Sequence, residues 1–482
     1  MASSGRLTIL QINDLHGYLE PHAEFVRTAA GMDYQTLGGL ARIGGLFNAI
    51  RAEVGDGVIA LDNGDTFHGT YVPVASDGLA MVPTMNALGL AAMTAHWEFA
   101  YGPAGFKRLA ALLNYPVLAI NCFDKATGDL FFAPYLVLER GGLRLGVVGL
   151  ACPIVDKTMP PSYSEGVRFT NGVDELPGWI EHLRSVEQVD LVIALSHLGY
   201  PQDVALAKRV DGIEVLVSGH THNRMYEPVI ENGTIIFQSG CHGAFVGRLD
   251  VEVSNAKVVS HRHRLIPVDG AAPEDPEIAA LVEAAIGPHR AMLDEVVGAT
   301  ETPLHRYAML QSTMDQVLLD AVAAASGRQI AFSNGWRYGA PIPSGPVTMA
   351  DLWNIIPTNP PVSVVDLTGQ EIQDMLEQNL ERTFAADPFD QMGGYVKRCR
   401  GLHMYLKAEN PTGHRIERLF VGDEPIEHAR VYEVAFVTAQ GVPAKFGTNR
   451  RNLEIHAVDA LHAYFVRHSP VRTSAQETVT AV

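Results

Sequence analysis

The chain has 482 residues, of which 47% are hydrophobic and 19% are charged, and its formal net charge at pH 7 is −18. This composition is ordinary for a globular protein and leaves room for two or more domains. The acidic balance argues against a nucleic-acid polymer as partner, because binding to a phosphate backbone requires a surplus of Lys and Arg. The cysteines lack the spacing of a metal finger, so we expect buried free thiols at Cys122, Cys152, Cys241 and Cys399.

The N-terminal segment passes almost at once into an apolar run that reads as a strand. It lacks the basic region, the long apolar core and the cleavage site of a signal peptide. No run of about 20 apolar residues follows that could span a bilayer, and no membrane partner is expected. The sequence as given therefore predicts a cytoplasmic protein, or a periplasmic one if a signal peptide has been removed.

Residues 1–268 alternate short apolar runs with amphipathic stretches, which predicts an α/β sandwich. The strand candidates are LTILQIN (7–13), GVIALDNGD (57–65), YPVLAIN (115–121), LRLGVVGLA (143–151), DLVIALSHLG (190–199), IEVLVSGHTH (213–222) and GTIIFQSG (233–240). Apolar positions at helical spacing predict helices over ARIGGLFNAIRAEV (41–54), LAMVPTMNALG (79–89) and ELPGWIEHLRSVEQ (175–188).

A turn-rich segment around residue 270 ends this first domain. We predict a linker with a connecting helix over residues 269–299 and a second, smaller α/β domain over 300–482. The second domain has its own helix candidates, such as TGQEIQDMLEQNLERTF, and strand candidates, such as VYEVAFVT. Residues 471–482 are expected to form an irregular tail.

Clusters of carboxylate and imidazole side chains follow strand candidates of the first domain, where open α/β sheets place their ligands. They are Asp14, His16, Asp65, His96, His197, His220 and His222. A carboxylate flanked by imidazoles and a second carboxylate is the donor set of a dinuclear hydrolytic site. Each residue alone could be structural or lie at the surface, but the ordered set predicts two divalent metal ions.

The motifs DLHG, GD, HWEF, SHLG and GHTH resemble those of the calcineurin-like metallophosphoesterases, with HWEF in place of the family's GNHEF. The motif order and the segment VTMADLWNIIPTNPPVSVVDLTGQEI (347–372) are similar to the 5'-nucleotidase group. The resemblance covers about residues 6–465. It implies a four-layer αββα metallophosphoesterase sandwich followed by a smaller α/β substrate-binding domain, with substrate in the cleft between them.

The resemblance also implies which residues hold which metal ion. One ion takes Asp14, His16 and His222, the other takes His197 and His220, and Asp65 bridges both. His96 stands where the family has an Asn ligand of the second ion. Manganese or zinc is the expected metal.

The family's catalytic His and its supporting Asp are both replaced, by Trp97 and Ala100. An indole cannot exchange a proton at neutral pH and can only donate one hydrogen bond or form an apolar wall. Because every ligand position is retained, we expect altered chemistry rather than a dead enzyme. His68 is a candidate proton donor, with a hydrogen-bonding loop residue as the alternative, and His242 has a similar but weaker case.

The HWEF motif and the loop NGWRYG (334–339) are also similar to the thiosulfohydrolases of bacterial sulfur oxidation. Arg337 matches the substrate-facing arginine of either group, with Asn334 and Trp336 beside it. Tyr395 matches one of the two rings that stack a nucleobase in nucleotidases. Phe446 is a candidate for the other ring, and a place in the core is the alternative.

The expected function is a dinuclear-metal-dependent phosphomonoesterase acting on 5'-nucleotides or similar small organophosphates. A first alternative is a thiosulfohydrolase that cleaves a sulfonate from a sulfur-carrier protein. A second alternative is a non-catalytic nucleotide- or metal-binding protein.

Overall fold

The structure is a computed structural model that describes residues 4–29, 31–473 and 478–482. The chain divides into two units, Met1–Pro288 and His289–Val482. Within the described ranges, every helix is too short or too polar to cross a lipid bilayer. The predicted domain limits at residues 268 and 300 stay predictions.

The first unit contains two large β-sheets and a set of mostly short helices. Its strands are β1 (Ser4–Ile12), β2 (Pro21–Thr28), β3 (Gly31–Gly38), β4 (Val58–Asp62), β5 (Ala92–Met93), β6 (Cys122–Asp124), β7 (Tyr135–Arg140), β8 (Leu143–Leu150), β9 (Val167–Phe169), β10 (Leu191–Ser196), β11 (Val215–Ser218), β12 (Val229–Glu231), β13 (Thr234–Phe237), β14 (Phe245–Ser254) and β15 (Lys257–Pro267). Its α-helices are α1 (Leu40–Val54), α2 (Tyr71–Ala75), α3 (Val82–Ala87), α4 (Gly102–Ala110), α5 (Val155–Thr158), α6 (Leu176–Ser185), α7 (Tyr200–Arg209) and α8 (Pro276–Ile286).

One sheet has the order β15-β14-β1-β4-β5 and the other β12-β13-β11-β10-β8-β7. Strands β1, β4 and β5 are parallel, as are β8, β10, β11 and β13. The carboxyl ends of parallel neighbours meet at one edge of a sheet, and ligands of open α/β sheets bind outside that edge. The topology therefore gathers the loops after β1, β4 and β5, and those after β10 and β11.

The core of the first unit lies between the two sheets. Leu7 and Ile9 of β1 belong to the same buried cluster as Ile193 and Leu195 of β10, because residues two apart in a strand share one face. The outer faces are also buried, as at Ala194, since helices cover them: α1 packs on β4, and α7 packs on β11 and β13. The predicted four-layer αββα sandwich is confirmed.

Two features of the first unit differ from the prediction. The run YPVLAIN forms only isolated bridges, Met93 with Val117 and Leu118 with Ala133, so a continuous strand at residues 115–121 was wrong. The hairpins β2–β3 and β14–β15 were not predicted. Every residue of β15 is exposed or partly exposed, so the strand has no buried apolar run that its sequence could reveal.

The second unit is a smaller α/β structure. Its strands are β16 (Val296–Thr300), β17 (Ala331–Gly335), β18 (Gly345–Thr348), β19 (Pro361–Thr368), β20 (Tyr395–Arg400), β21 (Leu402–Leu406), β22 (Ile416–Val421), β23 (Glu424–Pro425), β24 (Val431–Phe436), β25 (Thr448–His456) and β26 (Val479–Ala481). Its α-helices are α9 (Arg290–Leu293), α10 (Thr313–Ser326), α11 (Met349–Ile355), α12 (Gly369–Phe384) and α13 (Ala457–His468).

A five-stranded sheet in the order β20-β17-β24-β19-β25 forms the centre of this unit, with α10 and α12 packed against it. Helix α12 starts where the sequence predicts, because Thr368 and Glu371 form a capping box. The expected irregular tail was wrong in part. Residues 474–477 lie outside the described residues, but Val479–Ala481 pair in parallel with β21.

Candidate metal centre

The structure brings all the predicted metal ligands of the first unit together. The loops after β1, β4 and β5 carry Asp14, His16, Asp65 and His96, and the loops after β10 and β11 carry His197, His220 and His222. Their donor atoms fall into two groups, each with all its donor atoms within 4.8 Å of one another. The groups are Asp14, His16 and His222, and Asp65, His96, His197 and His220.

Many of these residues have a left-handed backbone, which is rare for residues other than glycine. The φ angle is 51° at Asp14, 49° at His16, 56° at Asp65, 71° at His220 and 59° at His222. Such conformations cost about 1–3 kcal/mol each and persist where the surroundings enforce them, most often at functional sites. Backbone hydrogen bonds supply part of that constraint, since Asp14 N–H donates to Gly64 O at 3.0 Å.

The first group is tightly packed. His16 Nε2 lies 3.2 Å from His222 Nε2, and His222 Nε2 lies 3.2 Å from Asp14 Oδ1. Ligand atoms about 2.0–2.1 Å from a tetrahedral zinc ion stand roughly 3.3 Å apart, so these spacings match a shared ion. The other oxygen of Asp14 accepts hydrogen bonds from the His220 N–H and from the Asn13 side chain, which fixes the carboxylate.

The second group centres on Asp65, which is 2% exposed. Its Oδ2 atom lies 3.1 Å from His96 Nδ1 and 3.2 Å from His197 Nε2. The same oxygen lies 3.8 Å from His16 Nε2 of the first group. The ring of His220 completes this group, with its centroid 4.9 Å from that of His96. Asp65 therefore faces both groups, and Asp14 Oδ1 also lies 3.8 Å from His197 Nε2 of the second group.

The charges of the buried centre depend on Asp65. Burial opposes its ionisation, but His96 and His197 outweigh burial and lower the pKa of Asp65 well below its ordinary value. Burial also opposes protonation of His197, but Asp65 and Asp14 raise the pKa of His197 to about 9. Burial lowers the pKa of His16 to about 3. The buried carboxylates thus require positive charge, and protons on neighbouring imidazoles supply it when no cation does.

The tautomers of two imidazoles test whether metal ions fit. The Nδ1 atoms of His16 and His197 lie 3.2 and 2.5 Å from backbone carbonyl oxygens, which can only accept a hydrogen bond. Each Nδ1 must therefore carry its proton, which leaves Nε2 to face the cluster. Carbonyl oxygens that accept a hydrogen bond from the outer ring nitrogen orient histidine ligands in metal sites in this way. The donor set and its orientation fit two divalent ions.

Trp97 lies beside the centre as a largely buried wall. Its backbone N–H donates to Asp65 Oδ1 at 2.7 Å, and its indole stacks on the His68 ring at a centroid distance of 4.9 Å. Burial lowers the pKa of His68 to about 4, so its imidazole is neutral at pH 7. Among the described residues, the buried His68 Nδ1 has no hydrogen-bond partner.

Two residues that were not predicted hold these loops in place. Glu98 of the HWEF motif accepts hydrogen bonds from the N–H groups of Thr66 and His96 at 2.7 and 2.8 Å. The Asn63 side chain donates to carbonyl oxygens of Ser196 and residue 217, which joins the loop after β4 to the second sheet. The sequence feature that could have identified both residues is their position within the motifs that carry the metal ligands.

The candidate substrate residues of the second unit lie around β17 and β20. Asn334 belongs to β17, Trp336 and Arg337 follow that strand, and Tyr395 pairs with Gly335. Buried Arg306 holds the loop after β17 in place. Its guanidinium donates to the Tyr338 carbonyl at 3.0 Å, and its Cζ atom lies 5.5 Å from the centroid of the Trp336 ring.

The surroundings of Phe446 differ from those of the other candidate substrate residues. It is 9% exposed and packs in the hydrophobic core of the second unit with Phe436 and Val442. This position favours the alternative that Phe446 is a core residue.

Comparisons with known proteins agree with this architecture. The family model of the calcineurin-like phosphoesterases matches residues 7–224, and that of the 5'-nucleotidase C-terminal domain matches residues 296–438. The chain is 26% identical over 458 residues to the trifunctional nucleotide phosphoesterase protein YfkN of Bacillus subtilis. This match covers 85% of the chain but 30% of YfkN, so the chain spans less than a third of that relative.

Two solved structures from Thermus thermophilus are similar over nearly the whole chain. The sulfate thiohydrolase SoxB has a TM-score of 0.92 at 27% identity, covering 99% of this chain and 97% of that one. A 5'-nucleotidase precursor has a TM-score of 0.87 at 24% identity, covering 99% of both chains, which is evidence of fold alone. The chain therefore belongs to the calcineurin-like phosphoesterases that carry a 5'-nucleotidase C-terminal domain.

Proposed function

We propose that this protein is a dinuclear-metal-dependent phosphomonoesterase that acts on 5'-nucleotides or similar small organophosphates. The observation that carries the proposal is the pair of buried donor groups that meet at Asp65, within a phosphoesterase domain. The relation to a nucleotide phosphoesterase supports the nucleotide as substrate class.

One ion would be held by Asp14, His16 and His222, and the other by His96, His197 and His220, with Asp65 between them. Imidazole ligands suit zinc better than magnesium or calcium, and the carboxylates of Asp14 and Asp65 also suit manganese, so we propose Mn²⁺ or Zn²⁺. A bound pair of such ions would act as a Lewis acid on the ester and would lower the pKa of water, so that hydroxide is available as the nucleophile near neutral pH.

The protein's own residues orient this chemistry. The backbone N–H of Trp97 holds Asp65 Oδ1, while the indole walls one side of the centre and offers no proton to a leaving group. The neutral His68 imidazole, whose Nδ1 has no hydrogen-bond partner among the described residues, can donate or accept a hydrogen bond at the leaving oxygen. Burial lowers the pKa of His68 to about 4, so His68 is not a proton-carrying acid at neutral pH, and we assign the leaving group's proton to water.

We propose that substrate contacts in the second unit come from the loop after β17 and from Tyr395. We assign the anionic group to Arg337, since a guanidinium matches the tetrahedral oxygens of a phosphate or a sulfonate. Asn334 and Trp336 would shape the same loop, and Tyr395 would stack a base. These roles are supported by the fixed position of the loop, because Arg306 donates a hydrogen bond to the backbone carbonyl of Tyr338.

A substrate panel tests the proposal. Metal-stripped protein would be reconstituted with Mn²⁺, Zn²⁺, Mg²⁺ or Co²⁺ and given nucleoside monophosphates, simple phosphate esters and organic thiosulfonates. We expect metal-dependent release of phosphate from nucleoside monophosphates, greatest with Mn²⁺ or Zn²⁺. Fully loaded protein that hydrolyses none of the phosphate esters would contradict the proposal.

A thiosulfohydrolase is the second candidate. Trp97 and the NGWRYG loop favour it, together with the similarity to SoxB, a sulfate thiohydrolase. Its partner would be a protein that carries the sulfonate. Turnover of thiosulfonates without turnover of phosphate esters would select this candidate, and turnover of neither would leave a nucleotide- or metal-binding protein.

A further inference from the structure

A third group of metal-binding side chains lies outside the dinuclear centre. His22 and Glu24 belong to β2, and because they are two residues apart they share one face of the strand. His242 comes from the loop between β13 and β14, more than two hundred residues later in the chain. We name these three residues the β2 cluster.

The donor atoms of the β2 cluster converge. His242 Nδ1 lies 3.3 Å from Glu24 Oε2, His22 Nε2 lies 3.9 Å from the same oxygen, and all three donors lie within 4.8 Å of one another. Ligand atoms of a tetrahedral zinc ion stand roughly 3.3 Å apart. The widest pair that the 4.8 Å limit allows would have to close by about 1.5 Å, or roughly 0.7 Å per side chain, to share an ion.

The orientation of His22 points to a missing partner. Its Nδ1 lies 3.3 Å from the Glu20 carbonyl oxygen and donates to it, so Nε2 is the ring nitrogen that faces Glu24. Among the residues that the structure describes, this buried Nε2 has no hydrogen-bond partner. A lone pair directed towards a carboxylate is unfavourable unless a proton or a cation lies between them.

The two carboxylate oxygens of Glu24 face different neighbours. Its Oε1 atom accepts hydrogen bonds from the Phe25 N–H at 2.8 Å and lies 2.8 Å from Arg224 Nη2. These contacts fix the carboxylate, while Oε2 faces the two imidazoles, with His242 Nδ1 within hydrogen-bonding distance. Carboxylates that ligate metal ions are held by outer hydrogen bonds in the same way.

We propose that the β2 cluster is a third cation site, which binds Zn²⁺ or a similar borderline divalent ion through two imidazoles and one carboxylate. This donor set selects Zn²⁺ over Mg²⁺ and Ca²⁺. Arg224 already neutralises Glu24, so the third ion binds more weakly than the pair at the dinuclear centre.

A bound ion would tie the β2–β3 hairpin to the loop that carries His242. That loop also reaches the dinuclear centre, because the His242 N–H donates to the Asp14 carbonyl at 2.8 Å. The ion would therefore have a structural role in holding the hairpin and this loop together. The inference does not rest on the proposed function.

Equilibrium dialysis against Zn²⁺, followed by elemental analysis, tests the site. We expect His22→Ala to bind one equivalent fewer per chain than wild type, at free Zn²⁺ that saturates wild type. His261→Ala, which removes an exposed histidine of β15, is the matched control and should bind as wild type does. Mg²⁺ should not fill the third site.

Equal zinc content in His22→Ala and wild type would overturn the proposal, since the cluster would then be held by hydrogen bonds alone. If His22→Ala fails to fold, crystals of wild type grown with Zn²⁺ decide the question. An anomalous peak at the zinc edge between His22, Glu24 and His242 is expected, and the absence of a peak there would overturn the site.

Discussion

Restoring a His–Asp dyad beside the metal centre should increase phosphate-ester turnover. The double substitution is Trp97→His with Ala100→Asp. Both positions lie in the 3₁₀ helix Trp97–Tyr101, in which residues three apart eclipse one another. The introduced carboxylate would therefore stand beside the introduced imidazole and could orient it.

The expected gain follows from the chemistry that the indole cannot perform. A positioned acid–base group contributes about 10²–10⁴-fold to rate, so turnover of a nucleoside monophosphate should rise by at least about tenfold after imperfect placement. The change also has a structural cost. Trp97 is 7% exposed and packs on His68 and Tyr163, and removing a buried Trp side chain down to Ala costs about 3–5 kcal/mol. Imidazole fills part of that space, so the loss in unfolding free energy should be smaller.

The assay is the steady-state rate on a nucleoside monophosphate for wild type and variant at matched metal occupancy. Trp97→Phe with Ala100→Asp is the control, because it keeps an aromatic ring and the new carboxylate but cannot transfer a proton. A gain in the His variant alone supports the reasoning. No gain, or a fall in turnover of phosphate esters while metal content is unchanged, would refute it and favour the thiosulfohydrolase.

Three further outcomes are expected. Arg337→Ala should lower kcat/KM at least about tenfold, because a charge-assisted contact contributes about 1.5–3 kcal/mol, while Arg337→Lys should lose less; an unchanged kcat/KM would place the anion elsewhere. His68→Phe keeps a ring stacked on Trp97 but removes the hydrogen bond that we propose at the leaving oxygen. Turnover of alkyl phosphates, whose leaving groups are poor, should therefore fall more than turnover of nitrophenyl phosphate. Equal losses would count against a role of His68 at the leaving oxygen. Asp315→Asn leaves two buried guanidiniums without their carboxylate and should lower the unfolding free energy of the second unit by about 3–5 kcal/mol in a denaturant titration. Burial opposes the charge of Asp315 but those guanidiniums lower its pKa, so its contribution is present above the ordinary carboxyl pKa and is lost as the pH falls through the lowered value. The difference between wild type and Asp315→Asn should narrow in acid, and a constant difference would contradict this account.

The sequence predicted the first unit well where strands are parallel and buried. Such strands read as continuous apolar runs, and β10, for which DLVIALSHLG was predicted, is buried at every position. The ligands that follow these strands could be found for the same reason, since parallel topology brings their loops together. The fold confirmed that part of the reasoning.

Contacts between distant segments could not be predicted. The link from Asn63 to Ser196 depends on the packing of two sheets, and no local pattern records it. The same holds for His22 and His242, which only the hairpin β2–β3 brings together. Strand β26 was not predicted, because its three residues are too few to form a sequence pattern. They become a strand by pairing with β21.

The most direct test of the metal centre compares wild type with Asp65→Asn. Both proteins would be stripped with a chelator, reloaded with Mn²⁺ or Zn²⁺, and measured for bound metal and for turnover of a nucleoside monophosphate. Because Asp65 faces both donor groups, the variant should lose up to two equivalents of metal. Its turnover should fall at least about a hundredfold, since bound ions contribute several kcal/mol to transition-state stabilisation. Turnover that survives metal removal, or an Asp65→Asn variant with the metal content and rate of wild type, would contradict the account.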